Sequence, residues 1–138
     1  MSPYEKTWMQ HLLRGPSADS FVSAAARFAE TSKSAEFGSL VTLLKQHDLA
    51  KWTLTTYLPF MWRPEMHMFL KPEATKDFAE RVGHPLALLY EAQPDFELYQ
   101  SLLDLVAKTE SAIADLHPKD KIDVQSFIWV VGNYEEKE

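Results

Sequence analysis

The stretch Trp52 to Lys71, WTLTTYLPFMWRPEMHMFLK, decides how the rest of the chain is to be read. Trp52, Leu54, Thr56, Leu58, Phe60 and Trp62 recur with period two, and the threonines among them favour an extended backbone. Arg63-Pro64-Glu65-Met66 has proline at the second position of a turn, after which Met66, Met68 and Leu70 alternate again. The pattern predicts a β-hairpin near residues 52–71, its first strand at an edge or bulged because Pro59 has no amide hydrogen to donate. Leu54, Tyr57, Leu58 and Met61 also fit helical spacing, but a helix would hold Pro59 in its interior at a cost of about 3 kcal/mol, which favours the strand reading.

On either side of this stretch the apolar residues recur every third or fourth position. Tyr4, Trp8, His11 and Leu12 predict a short helix stopped by Gly15-Pro16. Ala18, Phe21, Val22, Ala25, Phe28 and Ala29 predict a second, with Ser17 placed to cap it. The run Ala24 to Ala26 leaves little bulk between helix axes, so this helix can pack closely against a neighbour. Phe37, Leu40, Val41 and Leu44 predict a third helix, capped by Ser34 and ending near His47-Asp48.

Past Lys71, Pro72 suits a first helical position, Ala74, Phe78 and Val82 share one face, and Gly83 suits a left-handed stop. His84-Pro85 cannot continue that helix, so Leu86 to Tyr90 form an apolar connector or a minor helix. Phe96, Tyr99, Leu102, Leu103, Val106 and Ile113 predict the longest helix, widened by Leu98, Leu105 and Ala112 and supported by an Asp104–Lys108 pair. After His117-Pro118, Asp120 and Asp123 resemble an N-terminal cap for a last helix through Val124, Phe127, Ile128 and Val131 that stops at Gly132. A strand using Ile122, Val124, Ile128 and Val130 competes there, and residues 133–138 read as a frayed acidic tail. The expected fold is mainly α: one domain, residues 1–138, a compact bundle of about five to six helices carrying the small hairpin.

Composition narrows the function classes. With no cysteine there is no disulfide, thiolate metal site or cysteine nucleophile, and an aromatic content of 12% suits a folded core. The N-terminus lacks a signal-peptide pattern and no apolar run is long enough to cross a bilayer, which predicts a cytoplasmic protein. The net charge of −6 is concentrated in the second half of the chain, so the surface as a whole does not attract nucleic acid or anionic lipid.

From Lys51 onward the sequence resembles the C-terminal part of a group of larger, uncharacterised bacterial proteins, most specifically in HMFLKP at His67 to Pro72 and IDVQSFIW at Ile122 to Trp129. The resemblance implies a bacterial protein and carries no activity or site residue with it. The stretch before Lys51 departs from those relatives.

Motifs for catalysis are missing. His11, His47, His67, His84 and His117 show no metal-ligand spacing, and Gly15, Gly38, Gly83 and Gly132 form no phosphate-binding loop or nucleophile elbow. No metal, cofactor or small molecule is implied. A metal-dependent nuclease or other hydrolase could be assembled from Glu65, His67, Lys71, Asp123 and Gln125, and a nucleic-acid surface from Lys51, Trp52, Trp62, Arg63 and Lys71. The favoured expectation is a non-enzymatic protein–protein interaction module, self-associating or a subunit of a bacterial assembly. A hairpin can pack only one face, so Trp52, Tyr57, Phe60, Trp62, Arg63, His67, Phe69 and Lys71 are its expected contact residues.

Overall fold

Residues Trp52–Trp62 form a helix, not the first strand of a hairpin. Five consecutive residues, Trp52 to Thr56, are buried together with Pro59 and Phe60. A helix enclosed on all sides carries no polar stripe, so its sequence shows no helical period and its chance alternation imitates a strand. Pro59 leaves the Thr55 carbonyl without its usual donor, a cost of about 3 kcal/mol. Fully burying each of Trp52, Leu54 and Phe60 contributes about 1.5–3 kcal/mol and together outweighs it. The threonines adapt to the helix by turning their hydroxyls inward: Thr55 Oγ1 donates to Lys51 O and Thr56 Oγ1 to Trp52 O, both at 2.7 Å.

The computed structural model describes residues 3–132. Its elements are α1 (Pro3–Arg14), α2 (Ala18–Thr31), α3 (Ser34–Gln46), α4 (Trp52–Trp62), α5 (Pro72–Val82), α6 (Leu86–Leu89), α7 (Phe96–Ala112), a 3-10 turn at Ala114–Leu116 and α8 (Lys121–Gly132). The helical bundle is as expected, but among the described residues there are eight α-helices and no strand, which corrects both the helix count and the hairpin. The expected acidic tail lies outside the described residues.

The predicted faces are the buried ones: Phe21, Ala25, Phe28 and Ala29 on α2, Phe37, Leu40, Val41 and Leu44 on α3, and Leu98, Tyr99, Leu102, Leu105 and Val106 on α7. Gly83 closes α5 with φ of 71°, and Pro72 opens it. At the start of α8, Asp123 Oδ2 accepts from Lys119 N and Asp120 Oδ1 from Asp123 N, so the two aspartates cap that helix as expected. Ser17 and Ser34 do not act as side-chain caps; Ser34 is already helical and Lys33 precedes it.

Two halves meet around the irregular segment from His67 to Leu70. On one side α2 packs on α3 and α4, and on the other α5 lies against α8. The α5–α8 contact is close because Gly132 has no side chain: a Cβ there would overlap the carbonyl of Ala74. The same segment touches α8, since Phe69 meets the Trp129 ring edge-on at 5.8 Å and Lys71 Nζ sits 5.1 Å from its centroid.

Gly132→Ala is expected to destabilise the protein by about 1–3 kcal/mol through overpacking against Ala74. Gly38→Ala, in α3 with open space around it, is expected to stabilise by about 0.5–1 kcal/mol. Urea denaturation midpoints of the two variants should therefore move in opposite directions.

Candidate functional site

The centre of the 52–71 region is His67, a residue with no solvent exposure. Its Nε2 lies 2.9 Å from the Ala29 carbonyl and its Nδ1 lies 2.8 Å from the Tyr99 hydroxyl. A carbonyl can only accept, so Nε2 carries the proton and Nδ1 accepts from Tyr99. The Tyr99 oxygen in turn accepts from Met68 N at 3.3 Å. The ring sits 4.9 Å from Phe28 and 6.0 Å from Tyr99, inside an aromatic knot completed by Phe37. Desolvation lowers the His67 pKa below 6.5, outweighing the opposing effects of the Ala29 bond and Glu65, and burial pushes the Tyr99 hydroxyl well above its ordinary value. Both ring nitrogens are spent on structure.

Three residues beyond His67, Leu70 N donates to Thr56 Oγ1 at 2.9 Å, while Trp52 Nε1 donates to the Glu91 carbonyl at 2.7 Å. These bonds hold the segment and α4 inside the bundle and leave the end of α4 projecting. There, Trp62 Nε1 donates to Glu30 Oε1 at 3.1 Å, and Arg63 grips the same carboxylate with Nε to Oε1 and Nη2 to Oε2, both at 2.9 Å. The Arg63 and Glu30 side chains are nearly half exposed, so the pair contributes about 0–1 kcal/mol of stability and its main effect is positional. Met61, Trp62 and Met66 remain 59%, 54% and 42% exposed around it.

The eight expected contact residues are thus divided. Trp52, Phe60, His67 and Phe69 are buried, Tyr57 is half-buried against Phe69, and Lys71 is exposed over Trp129. Trp62 and Arg63 come together at the corner, joined by Met66 of the alternating pattern and by Met61 and Glu30, which lie outside it. No local signal marks Glu30, because its partners lie more than thirty positions away along the chain.

The hydrolase set does not converge on a common point. Glu65 is exposed beside Arg63, His67 is enclosed, Asp123 caps α8, and Gln125 is buried with Oε1 lacking a partner. Among the described residues no group of three or more His, Asp or Glu is placed to hold a metal ion. In the nucleic-acid set, Trp52 is internal and Arg63 is tied to Glu30. His84 accepts from Leu86 N through Nδ1 and donates from Nε2 to Asp104 Oδ2 at 2.9 Å. Those bonds, first from His84 and then from Lys108, lower the Asp104 pKa. Among the described residues no helix is long and apolar enough to cross a membrane. No family model, curated protein or solved structure matches the chain.

The lowered His67 pKa sets a sign for pH. The unfolded chain takes up this proton near 6.5 while the folded one resists it, so its contribution to stability is complete above about pH 6.5 and is lost as pH falls below that value. Urea titrations between about pH 8 and about pH 5.5 should show stability falling with acid in the wild type and falling less steeply in His67→Gln. Tyr99→Phe, which leaves His67 Nδ1 and Met68 N without their partner, should cost about 1–3 kcal/mol at neutral pH.

Proposed function

We propose that this chain is a non-enzymatic protein–protein interaction module whose contact surface is the corner formed by Met61, Trp62, Arg63 and Met66. The observation that carries the reading is the shared use of Glu30: one carboxylate fixes both the indole and the guanidinium while the apolar surface around them faces water. Trp and Arg lead among residues that dominate binding energy, and Met is enriched at interfaces. Immobilising a flexible side chain on binding costs about 0.5–1.5 kcal/mol, and a side chain already held by Glu30 avoids much of that cost. The partner is a protein, either a second copy or another subunit of a bacterial assembly, met in the cytoplasm.

The reading is tested by light scattering over a range of concentrations, together with a photo-crosslinking residue at position 61 in the native host. The expected result is a concentration-dependent oligomer or one dominant crosslinked protein. Trp62→Ala should abolish it at an unchanged melting temperature, and Glu30→Gln should weaken it by about tenfold or less. A strict monomer that crosslinks to nothing, or association indifferent to Trp62→Ala, would contradict the proposal.

A further inference from the structure

Between α5, α7 and α8 runs a groove of about 540 Å³, remote in sequence from the Trp62 corner. Its volume falls within the roughly 300–1,000 Å³ typical of small-molecule sites. Phe78, Leu105 and Phe127 line it together with Val82, Ile113 and Val131, and the Phe78 and Phe127 rings meet edge-on at 6.2 Å. The groove exists because α5 and α8 are drawn together at Ala74 and Gly132, whereas the chain leaves the far end of α5 through Gly83, His84 and Pro85. Val82, Gly83, Lys108 and Ala112 are exposed, so the groove opens to solvent along these edges.

The polar groups lining it select one kind of ligand. His84 has both ring nitrogens committed, to Leu86 N and Asp104. Thr109 gives its hydroxyl proton to Leu105 O at 2.8 Å. Two carbonyls in the last turn of α5 are met as well, Ala79 O accepting from His84 N and Glu80 O from Gly83 N. Lys108 remains, among the described residues the only Asp, Glu, Lys or Arg side chain lining the groove. One of its three ammonium protons suffices for Asp104 Oδ2 at 3.1 Å, which leaves donors for a further acceptor. Asp104 itself is already engaged by His84 and Lys108 and does not line the groove.

We propose that this groove binds an apolar molecule bearing a single carboxylate, such as a medium-chain fatty acid, with the chain on the Phe78–Leu105–Phe127 floor and the carboxylate on Lys108. The assignment is independent of the Trp62 corner and survives or fails apart from it.

The test is a solution NMR titration of the full chain, following the methyl groups of Val82, Ile113 and Val131, with decanoate, decan-1-ol and decylammonium as probes. Decanoate is expected to shift these methyls with a Kd on the order of 0.1 mM or tighter, decan-1-ol to bind about tenfold more weakly, and decylammonium more weakly still. Lys108→Gln should weaken decanoate by about fivefold to tenfold without altering decan-1-ol. Ala112→Trp, a change at the exposed edge, should block both while leaving the spectrum of the rest of the chain in place. Absence of methyl shifts, equal affinity for acid and alcohol, decanoate binding indifferent to Lys108→Gln, or binding that persists in Ala112→Trp would each overturn the proposal.

Discussion

The hydrogen bonds of the buried His67 imidazole to the Ala29 carbonyl and the Tyr99 hydroxyl, with Ser32 Oγ also 3.3 Å from Nε2, are the constraint on which the arrangement of this bundle depends. A polar ring enclosed without partners would cost several kcal/mol, so the surrounding elements must supply one acceptor and one donor in fixed places. The Ala29 carbonyl near the end of α2 supplies the acceptor and the Tyr99 hydroxyl of α7 the donor. Because these come from separate helices and His67 from the segment between α4 and α5, three distant parts of the chain are brought into register at one ring. Phe28 and Phe37 pack around the same point, so the polar bonds and the apolar contacts support one geometry.

That register determines what reaches the surface. With His67 to Leu70 drawn inward, α4 is enclosed at its start and emerges only at its end, where Glu30 meets Trp62 and Arg63. The same inward course brings Phe69 onto Trp129 and thereby joins the segment to α8. The α5–α8 pair, held close by Gly132, then leaves a groove where α7 completes the wall. The exposed aromatic corner and the apolar groove are therefore both consequences of how the interior is arranged.

Much of the helical framework was legible in the residues. Stripes such as Phe21-Ala25-Phe28 and Leu98-Leu102-Leu105 report their buried side because those helices have another side in water. Pro72, Gly83 and the Asp120–Asp123 pair announce their boundaries through local backbone chemistry. Trp52–Trp62 imitates a strand for the complementary reason: it is enclosed over most of its length, and Pro59 weighs locally against a helix that tertiary burial sustains. Of the candidate contact residues, Trp62 and Arg63 reach the surface, while the burial of His67, Trp52 and Phe69 cannot be read from the alternating pattern. Glu30 and the groove depend on contacts distant in sequence, which leave no trace in neighbouring letters.

The account stands most directly on the state of one ring, and nitrogen NMR of histidine-labelled protein reads that state. The expected spectrum for His67 is a neutral imidazole with its proton on Nε2, persisting as pH is lowered through 6.5 because desolvation opposes charging. A resonance showing the proton on Nδ1, or a ring that titrates at or above 6.5 in the folded protein, would contradict the enclosed anchor and the arrangement derived from it.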